Sequence, residues 1–500
     1  MAEYAGGSVE AEHLCVLVHG LWGNPNHMAN IAKALRAEYP ADKLYILLAK
    51  SNSGSFTYDG IELGGERVCR EIESELSAIE GRGGKIRKLS VVGYSLGGLV
   101  ARYAVGLLHA KGVLDGLECM NFTAFASPFL GVRTPLRGWT NHIWNVLGAR
   151  TLSKSGRQLF TIDDFRGTGR PLLAVLADPN SIFMRGLARF RRRTLYANIV
   201  NDRSAVYYTT AISKTDPFAQ LSRVQLHSLP GYEDVVLDPV RPVSPLPPDA
   251  RPASLYTSLR ALISSLPFYV AVVVFVPIAS AVFLVTAMVQ TARSAQRIKL
   301  HEKGLAGIDV TPYRSLPLLV DGLRGAVEDA YENLNSAQSQ EFLGTEPDGE
   351  EEDSQEGEGE EASEDSSGED GARDDSGNRT NGGATGGGVA ATTTTTTATA
   401  PSSPLSAQQL QRRRRQRKKS DAQILALERR QSQPEQPTLA LTADQFAMID
   451  ALDALGWRKY PVYIQKVRHS HAAIIVRSDK AGFSEGWVVL RHWLREEFLF

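Results

Sequence analysis

The sequence predicts an α/β fold with a mostly parallel central sheet, and three observations support this prediction. From about residue 13 to residue 240, apolar runs alternate with amphipathic stretches and Gly/Pro turns, a pattern typical of strands that alternate with helices. The runs that begin at His13 and at Lys88 indicate buried strands, and each ends in a glycine-containing turn, the first at His19-Gly20 and the second at Gly93-Tyr-Ser-Leu-Gly97. The second turn leads directly into a helical pattern from Leu99.

Length and composition restrict the class of protein. The chain has 500 residues, 43% of them hydrophobic and 22% charged, with a formal net charge of −1. This is enough for one globular domain of about 200–300 residues with attachments. The three cysteines, Cys15, Cys69 and Cys119, have the spacing of neither a disulfide framework nor a zinc site. The first twelve residues lack the basic start and apolar run of a secretory signal, so we expect a reducing, cytosol-facing compartment.

Composition changes along the chain divide it into five parts. The segment after residue 343 is low in complexity and too poor in apolar residues to offset chain ordering, so we expect it to be disordered. The last 60 or so residues are ordered in character and small for a domain, so we expect them to complete the first core; a separate C-terminal module is the alternative. The predicted parts are an α/β core (1–240), an apolar segment with its flanks (241–300), an amphipathic connector (301–342), the disordered insert (343–440) and the C-terminal part of the core (441–500).

Ser95 is the predicted nucleophile. It lies in Gly93-Tyr-Ser-Leu-Gly97, between a strand pattern and a helix pattern, which is the context that a nucleophile elbow requires. Side chains at Gly93 and Gly97 would clash with neighbouring backbone in such a turn. A serine at a helix N-terminus also lies next to backbone N–H groups that stabilise a developing oxyanion. The alternative is an ordinary glycine-rich turn, but the His19-Gly20-Leu21 turn about 75 residues upstream favours the catalytic interpretation.

The chain resembles the α/β-hydrolase superfamily and, more narrowly, the fungal putative serine esterase family, which includes lipid-droplet lipases. The resemblance is carried by LVHGLWGNPNHM, VVGYSLGGLVARYAVGLL, FASPFLGVRTPL, YANIVNDRSAVYYTTAI and HAAIIVR. It implies an α/β-hydrolase fold with a cap region, here interrupted by the apolar segment and the disordered insert. It also implies an acyl-ester hydrolase that acts on glycerolipids or phospholipids.

A serine hydroxyl needs a histidine to take its proton and an acid to orient that histidine. In this superfamily the acid follows the nucleophile and the histidine comes last. Asp202 follows the strand-like segment 194–200 and matches the NDR of the family, whereas Asp163, Asp164 and Asp178 lack a preceding strand. We therefore predict Asp202 as the acid.

The predicted base is His471, which opens HAAIIVR after the strand-like segment 460–467. His227 is the alternative base, and His469 is a near neighbour. His19 precedes the serine and is expected to shape the oxyanion turn. The expected oxyanion donors are the backbone N–H groups of Leu21 and Leu96. Such a mechanism requires no metal and no organic cofactor.

Leu262–Val289 is about 28 residues long without a charge, enough to cross a bilayer. A single crossing would separate His471 from Ser95 and Asp202, so either the segment does not span or His227 is the base. We favour a shallow hairpin in a lipid surface over a buried helix pair. The expected location is a lipid droplet or the endoplasmic reticulum membrane, with the catalytic domain facing the cytosol.

The insert carries an acidic tract and a basic run at Arg412–Lys419. We interpret it as a variable disordered loop, with a protein partner as the alternative; nucleic-acid binding is not expected because no folded recognition element accompanies the charges. The leading hypothesis is a membrane- or droplet-associated serine lipase. Its alternatives are an acyltransferase or thioesterase with the same triad, and a catalytically silent hydrolase-fold scaffold.

Overall fold

The computed structural model describes residues 4–132, 153–202, 205–232, 234–246, 289, 291–301, 438–439 and 441–500. The apolar segment up to residue 288, the connector from residue 302 and the insert up to residue 437 lie outside the described residues. Residues 133–152, which belong to the expected cap region, also lie outside the described residues. In the described part of the chain, no helix has both the length and the apolarity needed to cross a membrane.

A six-stranded parallel sheet forms the centre of the described structure. The strands of this part of the chain are β1 (His13–Val18), β2 (Leu44–Leu48), β3 (Lys88–Tyr94), β4 (Glu118–Phe125), β5 (Arg192–Asn198), β6 (Val224–Leu226), β7 (Val243–Pro245) and β8 (Arg458–Val462). The order in the sheet is β2-β1-β3-β4-β5-β8, and β6 and β7 form a separate antiparallel pair. The predicted parallel α/β sheet and the predicted strands β1 and β3 are thus confirmed.

Helices cover both faces of this sheet. They are α1 (Ala29–Glu38), α2 (Ile61–Gly81), α3 (Leu96–Ala110), α4 (Lys154–Leu159), α5 (Leu172–Leu176), α6 (Ile182–Ala188), α7 (Tyr207–Ala211), α8 (residues 291–301), α9 (Ala443–Asp453), α10 (Ser470–Ala473) and α11 (Ser484–His492). Along β1, Leu14 and Val16 pack into one apolar core and Cys15 and Leu17 into the other. Burial on both faces explains why β1 and β3 are continuously apolar instead of alternating.

The strand order creates a crevice at the carboxyl ends of β1 and β3. The chain passes from β1 outward to β2, then returns past β1 to β3 on its other side. Loops that follow neighbouring strands at such a point diverge, and ligands of open α/β sheets bind in the resulting crevice. The loop after β1 contains His19–Gly23, and the residue after β3 is Ser95. The topology therefore brings both predicted turns to one edge of the sheet.

The C-terminal block supplies strand β8, which pairs with β5 in parallel from Thr194 and Arg458 onward. This strand ends at Val462, earlier than the expected strand-like segment 460–467. The reason is that the backbone N–H groups of Gln465 and Lys466 donate to Glu485 Oε2 at 3.0 Å each, which carries the chain away from the sheet.

Candidate active site

Ser95 stands on a strained turn between β3 and α3. Its backbone has φ 55° and ψ −128°, a conformation that residues other than glycine rarely adopt. Its N–H donates to Phe125 O at 2.9 Å, which ties the turn to β4. A Cβ on Gly93 would lie 2.4 Å from Gly98 Cα, and one on Gly97 would lie 2.2 Å from Val18 O. The expected clash at both glycines is confirmed, so the elbow requires them.

His471 joins Ser95 to Asp202 through two hydrogen bonds. Its Nε2 lies 2.9 Å from Ser95 Oγ, and its Nδ1 lies 2.8 Å from Asp202 Oδ2. Ser95 and His471 are 376 residues apart in the sequence. The structure therefore brings together the three side chains that sequence reasoning selected for the relay.

The Asp202 carboxylate is held by donors on both oxygens. Asn198 Nδ2 donates to Oδ2 at 3.0 Å, and the Ala205 N–H donates to Oδ1 at 2.9 Å. The side chain of Asp202 is 2% exposed. An acceptor fixed in this way favours the tautomer with a proton on Nδ1 of His471, which leaves the Nε2 lone pair for the serine hydroxyl.

Neighbouring polar groups fix the position of His471 at the start of α10. Ser470 Oγ donates to Val200 O at 2.7 Å, and Tyr94 Oη donates to the carbonyl of His471 at 2.9 Å. The imidazole ring lies 5.2 Å from the Tyr94 ring and its side chain is 16% exposed, so it is supported from one side and accessible from the crevice. Sequence reasoning missed Tyr94, Asn198 and Ser470; a polar side chain inside an apolar strand was the available signal for Asn198.

The alternative bases lie outside this relay. His227 Nε2 lies 2.9 Å from Ser244 Oγ, between β6 and β7. His469 is exposed immediately before α10.

The alternative acids are also engaged elsewhere. Asp178 pairs with Arg170 at 2.7 Å. Asp163 and Asp164 accept backbone N–H groups from the loop around residues 169–172.

The loop after β1 lies against Ser95. A Cβ on Gly20 would lie 2.7 Å from Ser95 Cβ and 3.3 Å from Ser95 Oγ, so this glycine permits close approach. Leu21 follows it, and Leu96 is the first residue of α3, where backbone N–H groups have no partner within the helix. The two expected oxyanion donors therefore belong to the two backbone segments that meet at Ser95.

His19 shapes this loop from inside. It is 4% exposed, and its Nδ1 lies 3.1 Å from Gly20 O. Burial lowers the pKa of its imidazole, which keeps the ring neutral. A Cβ on Gly23 would lie 2.7 Å from His19 Nδ1, so the ring packs directly beneath the turn.

No group of three or more His, Cys, Asp or Glu side chains among the described residues is arranged to hold a metal ion. The three cysteines are buried and free. A parallel sheet covered on both faces, with a serine elbow at its topological switch point, defines an α/β-hydrolase fold.

Residues 8–215 match the model of the family described as Putative serine esterase (DUF676). The chain is 31% identical to Putative lipase YDL109C of Saccharomyces cerevisiae over 250 residues, 48% of this chain and 36% of that protein. It is 31% identical to Putative lipase ROG1 of the same yeast over 227 residues, 43% of this chain and 31% of that protein. The matches therefore span only about a third of these curated relatives, 36% and 31%.

Solved structures include similar chains at lower identity. Phospholipase PlaB from Legionella pneumophila in complex with thio-NAD is 14% identical, with a TM-score of 0.26, over 39% of this chain and 41% of that chain. A lipase-esterase related protein from Clostridium acetobutylicum is 15% identical, with a TM-score of 0.23, over 41% of this chain and 82% of that chain.

Proposed function

We propose that this protein is a serine carboxylic-ester hydrolase that cleaves acyl esters of glycerolipids or phospholipids at a lipid surface. The observation that carries the proposal is the continuous hydrogen-bonded relay from Ser95 through His471 to Asp202, with distances of 2.9 and 2.8 Å. The family description and the names of the yeast relatives, serine esterase and lipase, support the same class of reaction.

The relay suits acyl transfer through a covalent intermediate. His471 Nε2 takes the proton of Ser95 Oγ as that oxygen attacks the ester carbonyl, and the N–H groups of Leu21 and Leu96 stabilise the resulting oxyanion. The imidazolium then gives its proton to the departing alcohol, and the acyl group stays on Ser95. Water, deprotonated by His471, attacks the acyl-enzyme and releases the fatty acid and the free serine. Asp202 stays ionised throughout and holds the imidazole.

The surroundings of the crevice support a lipid substrate. Trp22, next to the donor Leu21, is 55% exposed, and Phe56 on the adjacent turn is 42% exposed. Tryptophan, whose ring is amphipathic, favours the boundary between water and lipid, and an exposed phenyl ring adds apolar surface beside it. We further propose that Leu262–Val289 holds the protein at a lipid droplet or endoplasmic reticulum membrane, with the catalytic domain on the cytosolic side. That segment has no charge in the sequence.

Hydrolysis of a lipid panel tests this proposal. Wild type, Ser95→Ala, His471→Ala and His227→Ala would be compared on mono-, di- and triacylglycerol and on phospholipids, with fluorophosphonate labelling as a second readout. We expect Ser95→Ala and His471→Ala to lose at least about 10³-fold in kcat, as mutants of such relays do. His227→Ala is the matched control and should keep its activity.

Full activity of Ser95→Ala would overturn the serine mechanism. Loss of activity in His227→Ala with an unchanged His471→Ala would move the base to His227. Labelling of Ser95 without hydrolysis of any ester in the panel would overturn the lipid substrate.

A further inference from the structure

Helix α8, which comes directly after the apolar segment in the sequence, docks on the hydrolase core through a polar face. Ser294 and His301 on this helix are each 1% exposed, and Arg297 lies on the same face at helical spacing. Their partners are Asp59 and Glu66, which are both completely buried. We name these five residues, Asp59, Glu66, Ser294, Arg297 and His301, the α8 clamp.

Asp59 is the centre of the α8 clamp. Ser294 Oγ donates to Asp59 Oδ1 at 2.7 Å, and Arg297 Nη2 donates to the same oxygen at 2.8 Å. Arg67 Nη2 donates to Asp59 Oδ2 at 2.8 Å. At the far end of the helix, His301 Nε2 lies 2.7 Å from Glu66 Oε2. Removing Arg297 would leave the buried Asp59 carboxylate with fewer partners, and the loss of one partner from a buried ion pair destabilises the packing around it.

Arg297 also contacts the 3-10 turn Gly54–Tyr58. Its Nη2 donates to Ser55 O at 2.9 Å, and its guanidinium lies 4.9 Å from the centre of the Phe56 ring. Arg67 lies 5.0 Å from the same ring. The position of this turn therefore depends on the helix that packs against it.

The same turn holds the loop that carries the proposed oxyanion donor. The Trp22 N–H donates to Thr57 Oγ1 at 3.0 Å, and the Gly54 N–H donates to Gly23 O at 2.7 Å. Trp22 Nε1 donates to Tyr58 Oη at 2.6 Å. Trp22 follows Leu21 directly and has φ 55°, so these bonds hold a strained backbone next to the donor.

We propose that α8 sets the catalytic rate by holding the loop His19–Gly23, which we name the oxyanion loop, with Arg297 and Asp59 as positioning residues for the Leu21 N–H. The contacts run without a break from α8 through Gly54–Tyr58 to Trp22. An oxyanion donor acts only where it is aligned with the charge that develops, so a small displacement of the loop lowers the rate of acyl transfer. This inference rests on the serine esterase function proposed above.

The test uses the full chain and a short, soluble p-nitrophenyl ester, so that binding to lipid does not enter. Arg297→Met should lower kcat at least about tenfold with KM changed less than about twofold, and should slow inactivation by a fluorophosphonate to the same extent. Arg297→Lys keeps a charge for Asp59 and should recover part of kcat. Lys299→Met removes an exposed cation from the same helix and is the matched control.

Active-site titration would normalise each rate to the concentration of folded enzyme. If Arg297→Met does not fold, Ser294→Ala removes one hydrogen bond to Asp59 and should still lower kcat with KM unchanged. Normalised kcat equal to wild type in Arg297→Met, or in Ser294→Ala where only that variant folds, would overturn the positioning role and leave the clamp purely structural. Full activity of Ser95→Ala would instead overturn the function on which the inference rests.

Discussion

Single residues around Ser95 show how local constraints build a reactive group. The elbow is predictable from five consecutive residues because the clash of a Cβ at Gly93 or Gly97 involves the backbone of the adjoining strands and helix. The second layer of the site was not predictable in this way. Tyr94 acts on His471, 377 residues later in the chain, and no local pattern marks that pairing. Asn198 acts on Asp202 only four residues later, and its polar side chain inside an apolar strand was the one local signal.

Asn198 gives a prediction at this scale. Asn198→Ala removes the side-chain donor from Asp202 Oδ2, the oxygen that also receives His471 Nδ1. A hydrogen bond to a charged group contributes about 1.5–3 kcal/mol, so kcat on a soluble ester should fall about 10- to 100-fold with KM nearly unchanged.

Ser244→Ala is the control for this measurement, because it removes the hydrogen-bond partner of His227, the alternative base. Its kcat should equal that of wild type. A wild-type kcat for Asn198→Ala would show that Asp202 is oriented without this amide.

At the scale of helices and strands, the sequence predicts elements with a local hydrophobic pattern. It does not predict contacts between elements that are far apart in the chain. Strands β1 and β3 were found because both of their faces are buried and their residues are continuously apolar. The polar face of α8 looks in the sequence like a solvent-facing surface. It is buried because Asp59 and Glu66 lie against it, 235 residues earlier in the chain.

The loop after β1 gives the prediction at this scale. Trp22→Ala should lower the rate on phospholipid vesicles more than the rate on a soluble ester, by a further factor of about ten, because an exposed indole is lost from the edge of the crevice. Taking the ratio of the two rates cancels any change in the oxyanion loop itself.

Phe500→Ala is the matched control for Trp22→Ala. Phe500 is also a partly exposed aromatic residue, 43% exposed, but it packs near Lys88 at the start of β3, away from the crevice. Equal vesicle-to-ester ratios in wild type and Trp22→Ala would contradict a role for Trp22 at a lipid surface.

At the scale of the whole molecule, buried histidines and buried carboxyl groups change the free energy of unfolding in opposite directions as the pH changes. Burial lowers the pKa of His13 from 6.5 to about 3 and that of His492 to about 4. Burial raises the pKa of Asp163 and Asp216 from 3.8 to about 6. As pH falls from 6.5 to 4, the unfolded chain gains protons on the histidines and the folded chain gains them on the two carboxyls. As the pH falls through this range, the two histidines therefore lower the free energy of unfolding and the two carboxyls raise it.

Single substitutions should separate the two contributions. When the pH is lowered from 7 to 5, the free energy of unfolding of wild type should fall by about 2 kcal/mol more than that of His13→Gln, because the variant lacks a proton-binding site of the unfolded chain. Asp163→Asn should lose about 1 kcal/mol relative to wild type over the same range. Urea unfolding at the two pH values measures both differences.

His469→Gln removes an exposed histidine and is the control for the loss of one imidazole from the chain. A parallel pH dependence of wild type and His13→Gln would mean that His13 takes up its proton equally in both states.

The central sheet is assembled from distant parts of the chain, since β8 enters it after 259 intervening residues from the end of β5 at Asn198 to the start at Arg458. During synthesis, Ser95 and its elbow therefore leave the ribosome long before His471 does. Until then the nascent chain carries a serine without its base, and the edge of β5 is open to pairing with other strands. A nascent chain that stops before residue 458 therefore carries Ser95 without the imidazole that binds it in the folded protein, and the edge of β5 stays unpaired.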